Sequence, residues 1–437
     1  MLEANLDSLR KMFPAAPFTV VASDPEWVAR RYSVDAVPSF GFPRDRAASA
    51  ERESMRAALL ASPDHPTVAA LASADALILS GGGNLSSSWP DLLYERIVLL
   101  ELAHRLAKPS IILGQTLGPH LGESEKPLLV AALRGARFLG VRELASAVLA
   151  VHLGIPQERV WYQFDDAMRI DEPLAPPPSE ATIAVTIDPQ IRATGKALFA
   201  SLAEQLRELS DATGARLVLV PHAFGGSPSD LTEARLLAEM IGASRVSIAE
   251  GLDVEGARRA AANASLIVSS RYHPIVFGLL AGVPSVGIYG DDYCRIKLQG
   301  ALAHAGLERW ALTYDEVASG TLLTASLELW TARASIRNEL EVRAASWREE
   351  CRERWAAVRS ALLGERAEIS GLFGKPIDAV MPALASMVSA QQQWSESVLA
   401  SHDARHHEIQ MYFQAEMGPR RTFFRYLRAM RKRLGGR

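Results

Sequence analysis

The densest grouping of residues able to do acid–base or anion chemistry is Ser269-Ser270-Arg271-Tyr272-His273, inside LIVSSRYHPIVFGLLAGVPSVGIYG at Leu266–Gly290. An apolar β-branched run ends at Ser269, and Pro274, a residue at home in a first helical turn, begins the helix that follows. The side chains of Ser269, Arg271 and His273 therefore gather at a helix N-terminus, where unpaired N–H groups and the helix dipole favour anions. Arg271 can grip a phosphate or carboxylate through two parallel hydrogen bonds, and His273 can give or take a proton near neutral pH. The plain alternative is a capped helix start with a structural histidine. The grouping favours function.

Other strand ends carry weaker signals. In ALILSGGGNLSS, Ala76–Ser87, a strand runs into Gly81, Gly82, Gly83 and Asn84. Three glycines let a ligand approach the backbone, and successive free N–H groups there can hold an anion. The spacing is neither a P-loop nor G-x-G-x-x-G, and a tight turn without a ligand is the competing reading. Gln115 sits in GQTLGP, Gly114–Pro119, after another strand. Arg142, in VRE at Val141–Glu143, stands where a strand meets a helix, placed for a carboxylate or phosphate or else for a structural salt bridge. QFDDAMRI, Gln163–Ile170, brings Asp165 and Asp166 to the same edge; one can serve as a base and the other can cap a turn.

Parallel-sheet elements must position these loops. Short β-branched runs alternate with amphipathic stretches along the chain. In the first half the strands are Phe18–Ala22, Ala76–Ser80, Ser110–Gly114, Phe138–Val141 and Val160–Tyr162, and the helices include Asp91–Leu106, Lys126–Leu133 and Glu143–Leu153. EPLAPPPSE, Glu172–Glu180, breaks the pattern, because its prolines continue neither a helix nor a central strand. The alternation then resumes with strands Thr182–Ile187, Arg216–Val220, Leu266–Ser269 and Ser285–Tyr289 and helices Ala197–Leu209, Leu231–Met240 and Val254–Ala262. The expected organisation is an α/β protein with an N-terminal domain over 1–172, a second over 180–330, and a helical extension over 335–437. Two such sheets face each other across a cleft, with ligands beyond the carboxyl ends of the strands. The 269–273 loop and the triple-glycine turn are expected to form one anion-holding pocket across that cleft.

Composition bounds the rest. The chain has 437 residues, 48% hydrophobic and 22% charged, enough for stable cores without disulfides. Cys294 and Cys351 are the only cysteines, which excludes a disulfide framework or a Cys-rich zinc site and fits a reducing cytoplasm. No run approaches the ~20 apolar residues of a membrane span, and the first residues, MLEANLDSLRKMFP, lack a signal-peptide core. The net charge is −3, but Gly418–Arg437 holds eight basic residues and no acid. An acidic body argues against nucleic-acid binding by the main domains.

The C-terminal part is helical in character. An Arg/Glu-rich helix is expected from about Ser335 to Leu363, with Trp347 and Trp355 on one face, and a second helical stretch from Ile377 to Tyr412. His402, His406 and His407 fall on a solvated face, and no metal-ligand cluster is expected. In 420–434, Phe423, Leu427, Met430 and Leu434 oppose Arg421, Arg425, Arg428 and Lys432. Such a helix suits an anionic inner leaflet and equally suits solvent or an oligomer contact.

Taken together, Gly81-Gly82-Gly83-Asn84, Gly114-Gln115 with Gly118-Pro119, Val141-Arg142-Glu143 with Ser146, Asp166-Ala167, Ser269-x-Arg271-x-His273 and Gly282-Val283-Pro284 resemble the polysaccharide pyruvyl transferase family over roughly residues 1–310. The resemblance implies two Rossmann-like domains of the glycosyltransferase-B type. It also implies transfer of a pyruvyl group from phosphoenolpyruvate to hydroxyls of an exopolysaccharide, a lipid-linked precursor or a wall polymer. Arg271 would hold the donor with Ser269, the triple-glycine turn, Asn84, Gln115 and Arg142; His273 would be the leading catalytic residue and Asp166 would activate a hydroxyl. No cofactor is required beyond the donor itself. The implied location is cytoplasmic, with the tail placing the enzyme at the inner membrane face. The family opens with a strand and a glycine-rich loop ahead of its first helix, whereas Met1–Leu6 looks like that helix itself, which suggests an upstream start. Competing readings are a nucleotide-sugar glycosyltransferase of the same architecture, and a non-catalytic glycan-binding or assembly protein.

Overall fold

A computed structural model of the chain describes residues 1–62, 64–168, 178–222, 229–242 and 244–365. Most of the expected Pro-rich linker, the stretch 377–412 with its three histidines, and the basic helix at 420–434 lie outside the described residues.

The chain opens with the helix Leu2–Met12, which buries Ala4, Asn5, Leu6 and Leu9. Strands β1 (Thr19–Ala22) and β2 (Asp35–Pro38) form a separate parallel pair, so the first expected strand stands outside the sheet that carries the motif loops. That sheet contains β3 (Leu77–Leu79), β4 (Gly82–Leu85), β5 (Ser110–Leu117), β6 (Phe138–Val141) and β7 (Val160–Tyr162), with every pair parallel. Both β3 and β4 pair with β5, through Leu77–Ser110 and Leu85–Leu117 respectively. They are one edge strand interrupted at Ser80–Gly81. All eight positions of β5 are buried, as expected for a strand covered by helices on both faces.

The second sheet holds β8 (Thr182–Thr186), β9 (Arg216–Leu219), β10 (Val246–Ile248), β11 (Leu266–Ser269), β12 (Ser285–Tyr289) and β13 (Ala311–Thr313). Its spatial order is β10-β9-β8-β11-β12-β13, all parallel, which is the doubly wound order with a reversal between β8 and β11. The Ser269–His273 loop leaves that reversal point, where such folds bind ligands. Strands β2, β4, β10 and β13 add to those expected; all are three or four residues long, too short to show a period of their own.

A 43-residue helix, Thr321–Leu363, closes the described fold, beginning well before the expected Ser335. At ~1.5 Å per residue it is about 65 Å long, enough to reach both sheets. Leu322, Leu329, Ile336, Leu340, Trp347, Cys351, Trp355 and Val358 form its buried stripe. Trp347 stacks on Phe164, which follows β7, with ring centroids 4.3 Å apart and planes 9° from parallel. Arg137, ahead of β6, donates to the Ala361 carbonyl at 2.6 Å. Leu9, Ile111, Phe138 and Trp161 of the first half consequently share one continuous core with the second sheet and this helix.

Glu95, on the helix Pro90–Arg105, is only 6% exposed and accepts the Phe40 N–H on both carboxylate oxygens at 3.2 and 3.0 Å. Burial pushes its pKa up to about 7, with the Phe40 N–H and Arg96 pulling partly the other way. A carboxyl raised in the fold costs nothing below its unfolded pKa and progressively destabilises as pH climbs to the folded value. Glu95→Gln should therefore gain stability relative to the parent between pH 5 and pH 8, by on the order of 1–3 kcal/mol. Urea denaturation of both proteins at the two pH values checks this; a pH-independent difference would refute it.

Candidate active site

Three strand ends of the first sheet converge on Arg142. This residue directly follows β6, is 2% exposed, and donates through Nε to Thr116 Oγ1 at 3.1 Å and to Glu143 Oε1 at 3.0 Å. One terminal nitrogen reaches Asp165 Oδ2 at 2.9 Å and the other reaches Thr116 Oγ1 at 3.0 Å. Thr116 comes from β5 and Asp165 from the segment after β7. Glu143 accepts two further bonds, from Thr116 at 2.7 Å and Ser146 at 2.9 Å. Burial would raise the Asp165 carboxyl, but Arg142 foremost, then His273 and the Ala167 N–H, bring it down to about 2. A buried guanidinium shared by two carboxylates is compensated and geometrically fixed.

The second sheet closes over this group. The Arg142 guanidinium lies 4.1 Å from the centroid of the Tyr272 ring, which begins the helix Tyr272–Leu280. Lys297, on the helix Asp292–Ala303, places its ammonium 4.6 Å from the Tyr293 ring and 5.6 Å from the Tyr272 ring. Among the described residues no carboxylate forms a salt bridge with it; burial lowers its pKa, while Glu143 and Asp291 pull the other way. Tyr293 donates its hydroxyl to the Gly83 carbonyl at 2.7 Å, bonding the second half to the triple-glycine turn. A Cβ at Gly83 would fall 2.0 Å from that hydroxyl, so this position must be glycine for the two halves to meet. His304 bonds the Arg142 carbonyl at 2.9 Å and stacks on Tyr162. His273 lies within electrostatic reach of Asp165, Arg142, the N-terminal ammonium and Lys297; burial, aided by the three cations against the pull of Asp165, holds its pKa down to about 3. It is a neutral imidazole between cations.

The structure thus brings His273, Arg142 and Gly83 together and places the other expected residues elsewhere. Arg271 turns the other way, into the reversal crevice, where Asp230 takes both Nη2 at 2.6 Å and Nε at 3.2 Å. Its expected anion is already supplied by the protein. Ser269 is fully buried and closes the strand-to-helix turn on Arg271, accepting its N–H at 2.9 Å and donating to its carbonyl at 2.8 Å. Asp188, a carboxylate directly past β8 that sequence reading did not find, caps the helix Pro189–Thr194 through the Gln190 N–H at 2.8 Å.

Asp166 is also spent. It is 1% exposed, pairs with Arg354 of the long helix, and accepts from Asn5 at 3.2 Å, the Gly81 N–H at 3.2 Å and Gln163 at 3.4 Å. A Cβ at Gly81 would sit 2.6 Å from its Oδ2, and one at Gly114 2.6 Å from its Oδ1, so these glycines make room for an internal carboxylate rather than a ligand. Gln115 donates to the Ser80 carbonyl at 2.7 Å and braces the break between β3 and β4, where Gly82 pairs with it. Asn84 is half-buried on β4. No group of three or more His, Cys, Asp or Glu side chains able to hold a metal occurs among the described residues, and none of their helices is long and apolar enough to cross a membrane.

Sequence reading missed Thr116, Tyr272, Tyr293 and Lys297. Thr116 and Tyr272 lay inside quoted motifs. Lys297 had one available signal, its place one turn into a helix that starts just past a strand, but a lone helical lysine is most often solvated.

Two parallel α/β sheets with strand ends facing each other and a terminal helix spanning both define a pair of Rossmann-like domains in the glycosyltransferase-B arrangement. Solved structures of that fold are similar to the chain: UDP-GlcNAc 2-epimerase from Neisseria meningitidis bound to UDP-GlcNAc, with 11% identity over 83% of this chain and 97% of that one and a TM-score of 0.51; S. aureus MnaA with UDP, with 14% identity over 85% and 97% and a TM-score of 0.55; and Arabidopsis thaliana UGT89C1 with UDP-L-rhamnose, with 13% identity over 83% and 95% and a TM-score of 0.52. The family model described as polysaccharide pyruvyl transferase matches residues 1–292, and the chain belongs to that family, an enzyme class. No curated protein matches the sequence significantly. Lys297 and Arg354 both lie beyond the matched span.

Removing the Arg142 guanidinium strands two buried carboxylates. Arg142→Leu should cost on the order of 3–5 kcal/mol in urea denaturation at pH 7. Because Asp165 is depressed in the fold, its contribution is complete above its unfolded pKa and disappears as pH falls toward 2, so the variant should also lose part of the parent's acid dependence. Unchanged stability would mean the cluster is solvated and open.

Proposed function

We propose that the chain transfers the pyruvyl group of phosphoenolpyruvate to two hydroxyls of a glycan, forming a pyruvate ketal and releasing phosphate. The observation that carries this reading is the meeting of Arg142, Lys297 and neutral His273 at facing strand ends, with the Lys297 ammonium lacking a carboxylate partner. Phosphoenolpyruvate packs a carboxylate and a phosphate into a few ångströms. Charge-assisted hydrogen bonds from such cations contribute roughly 1.5–3 kcal/mol each. Arg142 is already engaged by two carboxylates, so Lys297, which forms no salt bridge among the described residues, is the cation left to meet the donor.

The same electrostatics arms the histidine. Its pKa lies low because burial and neighbouring cations oppose a further positive charge. An anionic donor among those groups offsets the cations and raises the imidazole pKa toward neutral pH. Protonated His273 then delivers its proton to the donor's methylene carbon, which becomes the methyl group. C2, left electron-poor, is attacked by one sugar hydroxyl, whose proton returns to the imidazole. The second hydroxyl attacks C2 as its bond to the phosphate oxygen breaks, and its proton leaves with phosphate. One histidine serves as acid and then base, and Asp166, held by Arg354, is not required. Donor access requires the Tyr293–Gly83 bridge to open, as hinged pairs of sheets allow.

Incubation of the full chain with phosphoenolpyruvate and oligosaccharides bearing a free 1,3-diol should release phosphate only when both are present. His273→Ala should lower kcat by ~10²–10⁴, and Lys297→Gln should raise the donor KM at least tenfold with a smaller effect on kcat. A thermal shift with UDP-sugars and none with phosphoenolpyruvate would instead identify a nucleotide-sugar enzyme. Glycan binding without turnover of any donor would identify a binding protein.

A further inference from the structure

Among the large apolar side chains exposed in the described structure, Trp89 stands out by position. It is 43% exposed and lies beside Tyr293, with ring centroids 6.1 Å apart and planes at 68°. The Tyr293 ring in turn borders the Lys297 ammonium, and its hydroxyl bonds Gly83. A line of contacts therefore runs from the buried cation cluster through one aromatic ring to another that faces solvent.

The Trp89 side chain hydrogen-bonds Tyr293, which ties it to the second half but leaves much of its ring in solvent. Trp89 occupies the N-cap of the helix Pro90–Arg105, and its side chain makes no capping hydrogen bond. Ser, Thr, Asp or Asn at that position would stabilise the helix, by about 0.5–2 kcal/mol relative to a residue that cannot cap. The turn carrying it is nonetheless rigidly fixed. Ser87 N–H donates to the His120 carbonyl at 2.8 Å, Trp89 N–H to the Ser86 carbonyl at 3.1 Å, and Ser87 Oγ accepts the Gly122 N–H at 2.7 Å. A large apolar ring held still and left wet is suited to a ligand with one apolar face and polar edges. On the same segment, the Ser88 hydroxyl and the Asn84 amide make no hydrogen bond with described residues and can serve such edges.

We propose that Trp89 is the stacking platform of the acceptor subsite, receiving the C–H face of a pyranose while Ser88 and Asn84 meet its hydroxyls. This rests on the pyruvyl-transfer reading for the identity of the reaction, but the platform itself concerns sugar binding alone. The sugar lies outside the cation cluster, with Tyr293 between its stacked face and Lys297.

Saturation-transfer difference NMR on the full chain, with methyl β-D-galactoside, methyl β-D-glucoside and methyl N-acetyl-β-D-mannosaminide as probes, tests the platform. At least one glycoside should show transfer concentrated on the C–H protons of one face. That signal should fall at least fivefold in Trp89→Ala and persist in Trp89→Phe. It should also persist in Trp27→Ala, which removes a 50% exposed tryptophan paired with Tyr32 instead. No transfer to any of the three glycosides, or equal transfer in Trp89→Ala, overturns the proposal. The thermal shift given by phosphoenolpyruvate should be the same in Trp89→Ala and the parent; its loss in the variant alone would make Trp89 a structural support of Tyr293 and also overturn it. A parent protein that binds a glycoside through Trp89 yet shows no shift with phosphoenolpyruvate sinks the donor reading and leaves the platform standing.

Discussion

The arrangement of the whole molecule turns on one buried carboxylate, Asp166. Its oxygens take Arg354 from the long terminal helix, Asn5 from the first helix and the Gly81 N–H from the break in the edge strand, and they rest against Gly114 in β5. Four segments distant in sequence are thereby held to a single group. Pairs of this kind are often no more stabilising than a well-packed apolar substitute, because removing both charges from water is costly. What they enforce is geometry. With Arg354 in place the long helix can sit on the first sheet in only one register, and the triple-glycine turn has only one path.

That register sets the distance between the two sheets at the point where chemistry is possible. Trp347, two turns before Arg354, stacks on Phe164, the residue before Asp165. Asp165 in turn fixes the orientation of Arg142. The helix that belongs to the second sheet by connectivity thus orients a guanidinium of the first, while Tyr272 and Lys297 arrive from the other side. Adjacent carboxylates have divided the work: Asp166 positions the scaffold and Asp165 the cation. An exchange of their roles would leave Arg142 without its partner and Arg354 buried without an anion.

Strands were legible where they were apolar on both faces. Ser110–Gly114 and Leu266–Ser269 announce themselves because covered parallel strands have no polar face to interrupt the run, whereas the continuation of β5 to Leu117 through Gln115 and Thr116 did not. The facing arrangement followed from two such units in succession. Ion-pair assignments were not legible, for reasons of separation. Arg271 looked available because its partner Asp230 is 41 residues upstream, and Asp166 looked catalytic because Arg354 is 188 residues downstream. A charged side chain after a strand carries the same sequence signature whether it waits for substrate or is already neutralised. Glycines misled in the same way: the close approach they permit at Gly81 and Gly114 is used by an internal carboxylate, whereas Gly83 marks the junction between the halves.

The distribution of neutralised and unneutralised charge also separates this fold's two ligand positions. At the reversal point of the second sheet, where doubly wound folds hold nucleotides, Arg271 is bidentate to Asp230, and Asp188 stands beside the same crevice, so no net positive charge is offered to a diphosphate. At the junction between the sheets the cations are matched one for one by carboxylates. Arg142 and Lys297 stand there against Asp165 and Glu143; both carboxylates are bound to Arg142, and Lys297 forms no salt bridge among the described residues, which leaves it the cation for a small polyanion under the proposed reading. The histidine there is kept neutral by burial and the nearby cations. In the proposed reaction an anionic donor therefore brings with it the condition under which its own proton transfer becomes favourable.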